Sequence, residues 1–361
     1  MPQHFVGLMS GTSLDGVDAA LVAFDAAPGQ LVAHHFVPFP EDVRAEALAL
    51  CAPGPDELDR AGAFANRIAA LYAEAVDALL AQAGRPPVVA IGAHGQTVRH
   101  RPERGYTIQL LNAALLAERT GLRVVADLRS RDIAAGGQGA PLVPAYHAAC
   151  FARGDRHRVI ANIGGIANVT ELAPGRAVRG FDTGPGNALL DLWALEHLGS
   201  RYDAGGAWAA SGRVVETLLA ALLAEPYFAL PPPKSTGREL FHRGWLDRFD
   251  VSRAAAQDVQ ATLAALTGRS IALAVQRECA GAAEVLVCGG GAHNASVMRE
   301  LAAALPGIRV GTTADAGVDP DWVEAMAFAW LARETLAERP GNLPSVTGAA
   351  GPRVLGAIYP P

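Results

Sequence analysis

The chain has 361 residues, half of them hydrophobic, with 39 Gly, 24 Pro, 6% aromatic and 18% charged residues and a net charge of -6. This length suggests two or three domains, and the composition argues for large cores joined by tight turns rather than disorder. An acidic balance argues against nucleic acid or an anionic membrane as the main partner. The four Cys, at 51, 150, 279 and 288, form no C-x-x-C pair and are expected as reduced thiols of a cytoplasmic protein. The first residues, MPQHFVGLMSGTSLDG, lack the charged and apolar regions of a signal peptide, and no uncharged apolar run reaches membrane-spanning length.

Read in chain order, residues 4–9 and 17–25 are expected as strands joined by a turn-rich stretch, with a third strand over 31–39. Helical patterns follow at 41–50 and 56–82, then a buried strand at 88–93, a helix at 112–120 and a strand at 123–126. The opening pattern returns in the middle. Residues 158–162 read as a strand, 163–168 as a glycine turn, and 169–173 and 177–181 as further strands. A long helical pattern covers 252–279, and a strand at 284–288 runs into three glycines. The duplication suggests two similar α/β domains facing each other across a cleft. They are expected as residues 1–133 plus 343–361 and residues 134–342, divided in the Gly/Pro-rich stretch AAGGQGAPLVP.

Three glycine loops stand at strand ends. Gly11, Thr12, Ser13, Leu14, Asp15 and Gly16, followed by Val17 and Asp18, form the first. Its glycines allow close backbone approach, its N–H groups can form an anion nest, and Asp15 and Asp18 can hold Mg²⁺ directly or through water. The loop matches neither the P-loop nor the dinucleotide fingerprint, and an ordinary hairpin turn is the simpler reading. Asn162, Gly164 and Gly165 occupy the matching place in the second half. Gly289, Gly290, Gly291 and Asn294 lie between a strand and a helix, where backbone can pass an adenine or ribose. Together the three fit a nucleotide held between two domains.

The motifs GLMSGTSLDGVDAAL, GAHGQTVRH, GGQGAPLVP, NIGGIANVT, GFDTGPGN, PPKSTGRELF, CGGGAHN, EAMAFAWLA and NLPSVTGA span nearly the whole chain and resemble those of the anhydro-N-acetylmuramic acid kinases. That family lies within the sugar kinase, Hsp70 and actin superfamily. Leu128, His242 and Gly268 depart from the pattern, at positions tied only to local packing. The resemblance implies a two-domain actin-like ATPase fold with ribonuclease H-like cores around a central cleft. It also implies ATP and Mg²⁺ as cofactors, 1,6-anhydro-N-acetylmuramic acid as the small-molecule sugar partner, and a homodimer. The implied reaction adds water at C1 of the anhydro sugar and phosphorylates O6 in murein recycling. Another sugar kinase of the superfamily, or a non-catalytic nucleotide-driven binding protein, stands as the alternative.

Asp182, in FDTGPGN, is the expected catalytic base, against the simpler reading of a helix cap. Gln96 and Thr97 follow a buried strand and are expected to meet sugar hydroxyls or the acetamido group. In the cluster Asp127, Arg129, Arg131, Asp132, the residue expected on the lactyl carboxylate is Arg131, although charges so grouped more often form solvated ion pairs. Glu324, on an Ala-rich helix, and Lys234, the only Lys beside 29 Arg, complete the candidate sugar-binding set. A surface position is the ordinary fate of each. The remaining His show no zinc-ligand spacing.

Overall fold

In the computed structural model, residues 2–11, 13–25, 29–237 and 239–361 are described. Their strands, in chain order, are β1 (Gln3–Met9), β2 (Gly16–Phe24), β3 (Gln30–Pro38), β4 (Val88–Ala93), β5 (Gln96–Arg101), β6 (Tyr106–Leu110), β7 (Val124–Ala126), β8 (Arg158–Ile163), β9 (Ile166–Leu172), β10 (Arg179–Pro185), β11 (Glu284–Cys288), β12 (Arg309–Thr312) and β13 (Ala357–Tyr359). The chain divides into two compact units, Met1–Cys150 with Trp322–Pro361, and Phe151–Asp321.

The first unit holds a sheet in the order β13-β7-β4-β1-β2-β3. β1 pairs antiparallel with β2 and parallel with β4, and β4 pairs parallel with β7. The apolar runs of β1 and β2 are buried along nearly their whole length, as a strand covered on both faces requires. One face is covered by the helix Glu57–Gln82, which buries Phe64, Ile68, Leu71, Tyr72, Val76 and Leu79. On the other lies the helix Val323–Leu336. It sits so close that a Cβ on Gly7 would fall 1.8 Å from the Ala325 carbonyl oxygen, and one on Gly92 2.0 Å from that of Phe328. Neither strand could accept a side chain there.

The second unit repeats the plan. Its sheet runs β10-β9-β8-β11-β12, with β8 antiparallel to β9, β9 antiparallel to β10, and β8, β11 and β12 parallel. Each unit thus carries the 3-2-1-4-5 strand order of a ribonuclease H-like core, twice in one chain, the architecture of the actin-like ATPases. The core here is closed by the helix Ala256–Glu278, buried along most of its length, and by Phe181, Trp193, Phe241 and Trp245.

The packing places the first division later, and the second earlier, than the sequence suggests. The divisions fall at 150/151 and 321/322, against 133/134 and 342/343. Residues 135–150 stay with the first unit because Gln138 donates to the Thr347 carbonyl at 2.8 Å, Ala350 donates to that of Ala135 at 2.8 Å, and the rings of Tyr146 and Trp330 lie 6.1 Å apart. The helix Val323–Leu336 belongs there because it covers β1 and β4. The third strand of the second half also runs longer than read. Pro185 and Gly186 look like strand breakers, yet β10 includes Pro185 because it is an edge strand, where a missing N–H removes no ladder bond. The three departures from the family pattern pack without conflict: Leu128 is buried, His242 caps the helix Arg243–Leu246 by accepting from Gly244 N–H at 3.0 Å, and Gly268 meets the helix Ala295–Ala304.

Candidate active site

In the first unit the parallel strands β1, β4 and β7 deliver three segments to one edge of the sheet: residues 10–15, residues 94–96 and residues 127–129. Ligands of open α/β sheets gather at such carboxyl ends. Ser10 is buried, and its hydroxyl donates to the Gly95 carbonyl at 3.1 Å, so its contact with the Tyr72 hydroxyl at 2.9 Å is donated by Tyr72. The Ser10 carbonyl lies 3.2 Å from His94 Nδ1, and the Gly11 carbonyl accepts from Gln96 Nε2 at 3.3 Å. Leu14 takes a left-handed φ of 56° and tucks its side chain into the core, while its N–H returns to the Gly11 carbonyl at 3.3 Å. Ser13 is exposed and donates to Asp15 Oδ1 at 2.6 Å. Gly16 and Val17 are buried, and a Cβ on Gly16 would stand 2.3 Å from the Val37 carbonyl oxygen. Thr12 lies outside the described residues.

His94 is buried, and its Nε2 accepts from Arg129 Nε at 3.2 Å and Nη2 at 2.9 Å. Burial and the Arg129 charge push the imidazole down to about 3, while burial brings the Arg129 guanidinium down to about 10 against the pull of Glu324 and Asp132. The ring is therefore neutral and the guanidinium charged through the neutral range. Asp132 is fully buried and accepts from Gly139 N–H, Asn342 and Thr347 at 2.6–2.7 Å.

In the second unit β8 and β11, parallel neighbours, end side by side and lead into the other two glycine loops. The turn between β8 and β9 is fixed by the start of the helix Ala188–Leu198. The N–H groups of Asn187 and Ala188 donate to the carbonyls of Gly164 and Gly165 at 2.8 and 3.0 Å, and Gly186 N–H donates to Gly165 at 3.0 Å. The backbones touch so closely that a Cβ on Gly186 would lie 2.3 Å from the Gly164 oxygen. Gly289, at φ 78°, turns the chain over the end of β8, where a Cβ would meet Asn162 Oδ1 at 2.5 Å; one on Gly291 would strike Ile163 at 2.2 Å. Gly290 stays exposed beside them.

Asp182 lies on β10, half-buried, with its backbone N–H donating to the Lys234 carbonyl at 3.1 Å and its own carbonyl accepting from the Tyr227 hydroxyl at 2.8 Å. One carboxylate oxygen, Oδ2, accepts from Thr236 N–H at 3.0 Å. Burial raises the carboxyl to about 6, against the Thr236 bond that lowers it; the charge of Glu239 raises it further and that of Lys234 lowers it. A carboxylate of this kind is poised to accept a proton near neutral pH. Lys234 Nζ donates to the Tyr227 carbonyl at 3.2 Å and sits 4.7 Å from the centre of the Tyr227 ring.

The family model described as anhydro-N-acetylmuramic acid kinase matches residues 3–361. The chain belongs to the anhydro-N-acetylmuramic acid kinase family. It is 57% identical over 368 residues to the protein of that name from Thiobacillus denitrificans, covering 100% of this chain and 99% of the relative. With that from Nitrosospira multiformis it shares 54% over 361 residues, 99% of each. Among solved structures, component A of (R)-2-hydroxyglutaryl-CoA dehydratase from Acidaminococcus fermentans matches with a TM-score of 0.50 at 15% identity, covering 91% of this chain and 96% of that one, a likeness of fold alone.

As a member of the anhydro-N-acetylmuramic acid kinase family, the chain carries its candidate residues in both units. The first unit brings Gly11, Ser13, Leu14 and Asp15, the start of β2 at Gly16, Val17 and Asp18, and Gln96, Thr97 and Glu324 to the neighbourhood of the strand ends; Gln96 is buried, Thr97 accepts from Gln109 at 3.1 Å, and Glu324 is half-buried in the first turn of its helix. Arg131 is exposed on the short helix Ser130–Ala134, whereas Arg129, two residues earlier, turns its guanidinium inward. The second unit carries Asp182, Lys234 and the loops at 162–165 and 289–294. There Asn294 Oδ1 caps the helix Ala295–Ala304, accepting from Ser296 and Val297 at 3.1 Å, a structural task distinct from the nucleotide contact expected of it. Sequence reasoning passed over His94 and Arg129 as site residues, and Tyr227 and Thr236. The first two stand inside motifs already noted, GAHGQTVRH and the charged cluster after β7. Thr236 was visible only as part of KSTG, and Tyr227 carried no signal. Among the described residues no group of three or more His, Cys, Asp or Glu is placed for a metal ion. Asp15, exposed, and Asp18, half-buried, offer oxygen donors only, a set that suits a hard cation completed by water and phosphate oxygens.

Proposed function

We propose that this protein is an ATP-dependent kinase that opens the 1,6-anhydro ring of 1,6-anhydro-N-acetylmuramic acid with water and phosphorylates O6, giving N-acetylmuramic acid 6-phosphate and ADP in peptidoglycan recycling. The full-length likeness to proteins of this name carries the reading. Asp182 supplies its chemistry. With Oδ2 held by Thr236 and a carboxyl raised to about 6, Asp182 takes one proton from water as the water oxygen attacks C1. The C1–O6 bond breaks, and O6 attacks the γ-phosphorus as ADP leaves. The glycine loops at 11–16 and 164–165 present backbone N–H groups to the phosphates, and the turn at 289–291 lies along the adenosine. Asp15 and Asp18 hold Mg²⁺, directly or through water. The ion, when bound, neutralises phosphate charge. Gln96, Thr97, Arg131, Lys234 and Glu324 are assigned to the sugar. The family resemblance also carries a homodimer acting in the cytoplasm. No disulfide joins cysteines among the described residues, which agrees with a reducing compartment, and no helix among the described residues is long and apolar enough to cross a membrane.

Incubation with ATP, Mg²⁺ and the anhydro sugar in ¹⁸O-labelled water tests the reading. One label is expected at C1 of a 6-phosphorylated product and none in its phosphoryl group. Label in free phosphate with no sugar phosphate would mean plain ATP hydrolysis and would overturn it.

A further inference from the structure

We infer that Arg129 and His94 act as a pair of positioning residues for the first phosphate loop, fixing the histidine tautomer that holds the Ser10 carbonyl and thereby turning the Gly11 N–H toward a phosphate oxygen of the nucleotide. This rests on the kinase reading above and names the side chains on which its first phosphate loop depends. Arg129 can only donate, and two of its nitrogens, at 3.2 and 2.9 Å, address His94 Nε2. That nitrogen must therefore present its lone pair. A neutral imidazole carries one N–H, so it lies on Nδ1, 3.2 Å from the Ser10 carbonyl oxygen. The imidazole is held neutral by burial and by the Arg129 charge.

The consequence for the loop follows from the geometry of the peptide unit. The Ser10–Gly11 peptide is trans, so its C=O and N–H point in opposite directions. With the carbonyl drawn inward to His94, the Gly11 N–H faces outward at half-exposed Gly11, just past the buried end of β1. A second side chain repeats the arrangement one residue on. Gln96 Nε2 holds the Gly11 carbonyl at 3.3 Å, and its buried Oε1 has no partner of its own. The pair is braced from behind. Arg129 Nη1 donates to the Gly139 carbonyl at 2.8 Å, and Gly139 N–H donates to Asp132 at 2.7 Å. Asp132 is in turn tied to Asn342 and Thr347. Arg129 thus spends its donors inside the first unit and acts through His94.

The test uses the full-length protein and its His94→Leu, His94→Asn and Arg129→Met variants. Mg–ADP affinity and anhydro-sugar affinity are measured by calorimetry, and the His94 tautomer is read from ¹⁵N-histidine NMR. The Asn amide N–H stands where Nδ1–H stood and can still donate to Ser10. Wild type is expected in the Nδ1–H form. His94→Leu and Arg129→Met should weaken Mg–ADP at least tenfold while sugar affinity moves less than twofold. His94→Asn should stay within threefold of wild type for Mg–ADP, and Arg129→Met should shift the ring toward Nε2–H. An Nε2–H ring in wild type, a reading that needs no variant to fold, would overturn the inference. So would tight Mg–ADP binding by His94→Leu. If wild type bound no adenine nucleotide, the kinase reading would fall, and this inference with it.

Discussion

At the scale of single residues, the environment of Asp182 makes opposite demands on stability and on activity. Its carboxyl is raised from an ordinary 3.8 to about 6, first by burial. The folded state therefore binds this proton more tightly than the unfolded chain does, and stability falls as pH rises between about 4 and about 6. Above that window the buried charge costs at most about 3 kcal/mol. An Asn keeps the acceptor for Thr236 N–H but carries no charge. Asp182→Asn should therefore melt higher than wild type at pH 7, with the gap closing near pH 4, while turnover falls at least ~100-fold. Thermal melts across pH and a product assay check both halves. Lys234 belongs to the same cluster, and its charge lowers the Asp182 carboxyl. Lys234→Met should move the acid limb of the kcat/KM profile to higher pH, and Lys234→Arg should leave it nearly in place. An unmoved limb in the Met variant would remove Lys234 from the electrostatics of the proposed base. Asp182 was legible because GFDTGPGN announces a polar group beside a tight turn. Its regulators were not, because Tyr227 and Thr236 reach it from 45 and 54 residues away. Likewise no local pattern separates Arg131, exposed, from Arg129, half-buried two positions earlier with its guanidinium turned inward, since their difference is set by contacts with His94 and Gly139.

At the scale of elements, close helix packing explains several of the glycines. Gly268, inside the helix Ala256–Glu278, stands where a Cβ would meet Leu301 N at 2.7 Å, Glu300 Cβ at 2.9 Å and the Val297 carbonyl at 3.0 Å. Two effects oppose each other in Gly268→Ala. Helix propensity favours Ala by about 1 kcal/mol, and overpacking against backbone costs about 1–3 kcal/mol. Two of the three close atoms are backbone, which cannot rotate away, so packing should win. The variant is expected to lose roughly 1–2 kcal/mol, read as a lower denaturation midpoint. A gain in stability would show that the two helices can part freely. The strands of both sheets other than β12 and β13 were legible from apolar runs between turn signals. The hairpin β5–β6 was not, because its residues QTVRHR and YTIQL are mostly half-buried and give no clean alternation. β13, only three residues long, was also missed; it is held by pairing with β7.

At the scale of the whole molecule, the duplicated sheet order separates two cores that differ in how the chain supplies them. Phe151–Asp321 is continuous, and its core is filled from within that span. Met1–Cys150 must recover the helix Val323–Leu336 to cover β1 and β4. A fragment of residues 151–321 should therefore give a cooperative melt and dispersed amide NMR signals, whereas residues 1–150 alone should not. A folded 1–150 fragment would show that the C-terminal helix is dispensable to that core. The repeat itself was legible in element order, but its boundaries were not, since they depend on contacts between residues about 200 positions apart, such as Asp132 with Asn342 and Thr347. The two halves also hold their matching hairpin loops by different means. In the second, the carbonyls of Gly164 and Gly165 are gripped by the main chain of residues 186–188. In the first, that of Ser10 is gripped by the side chain of His94, and that of Gly11 by the side chain of Gln96 together with the Leu14 N–H. A main-chain grip survives nearly any substitution except at the glycines that allow it, and a side-chain grip does not. Tolerance to random mutation should therefore be lopsided, with the first hairpin depending on remote positions and the second on its own glycines, so that the earlier half of the gene is the more brittle of two copies of one plan.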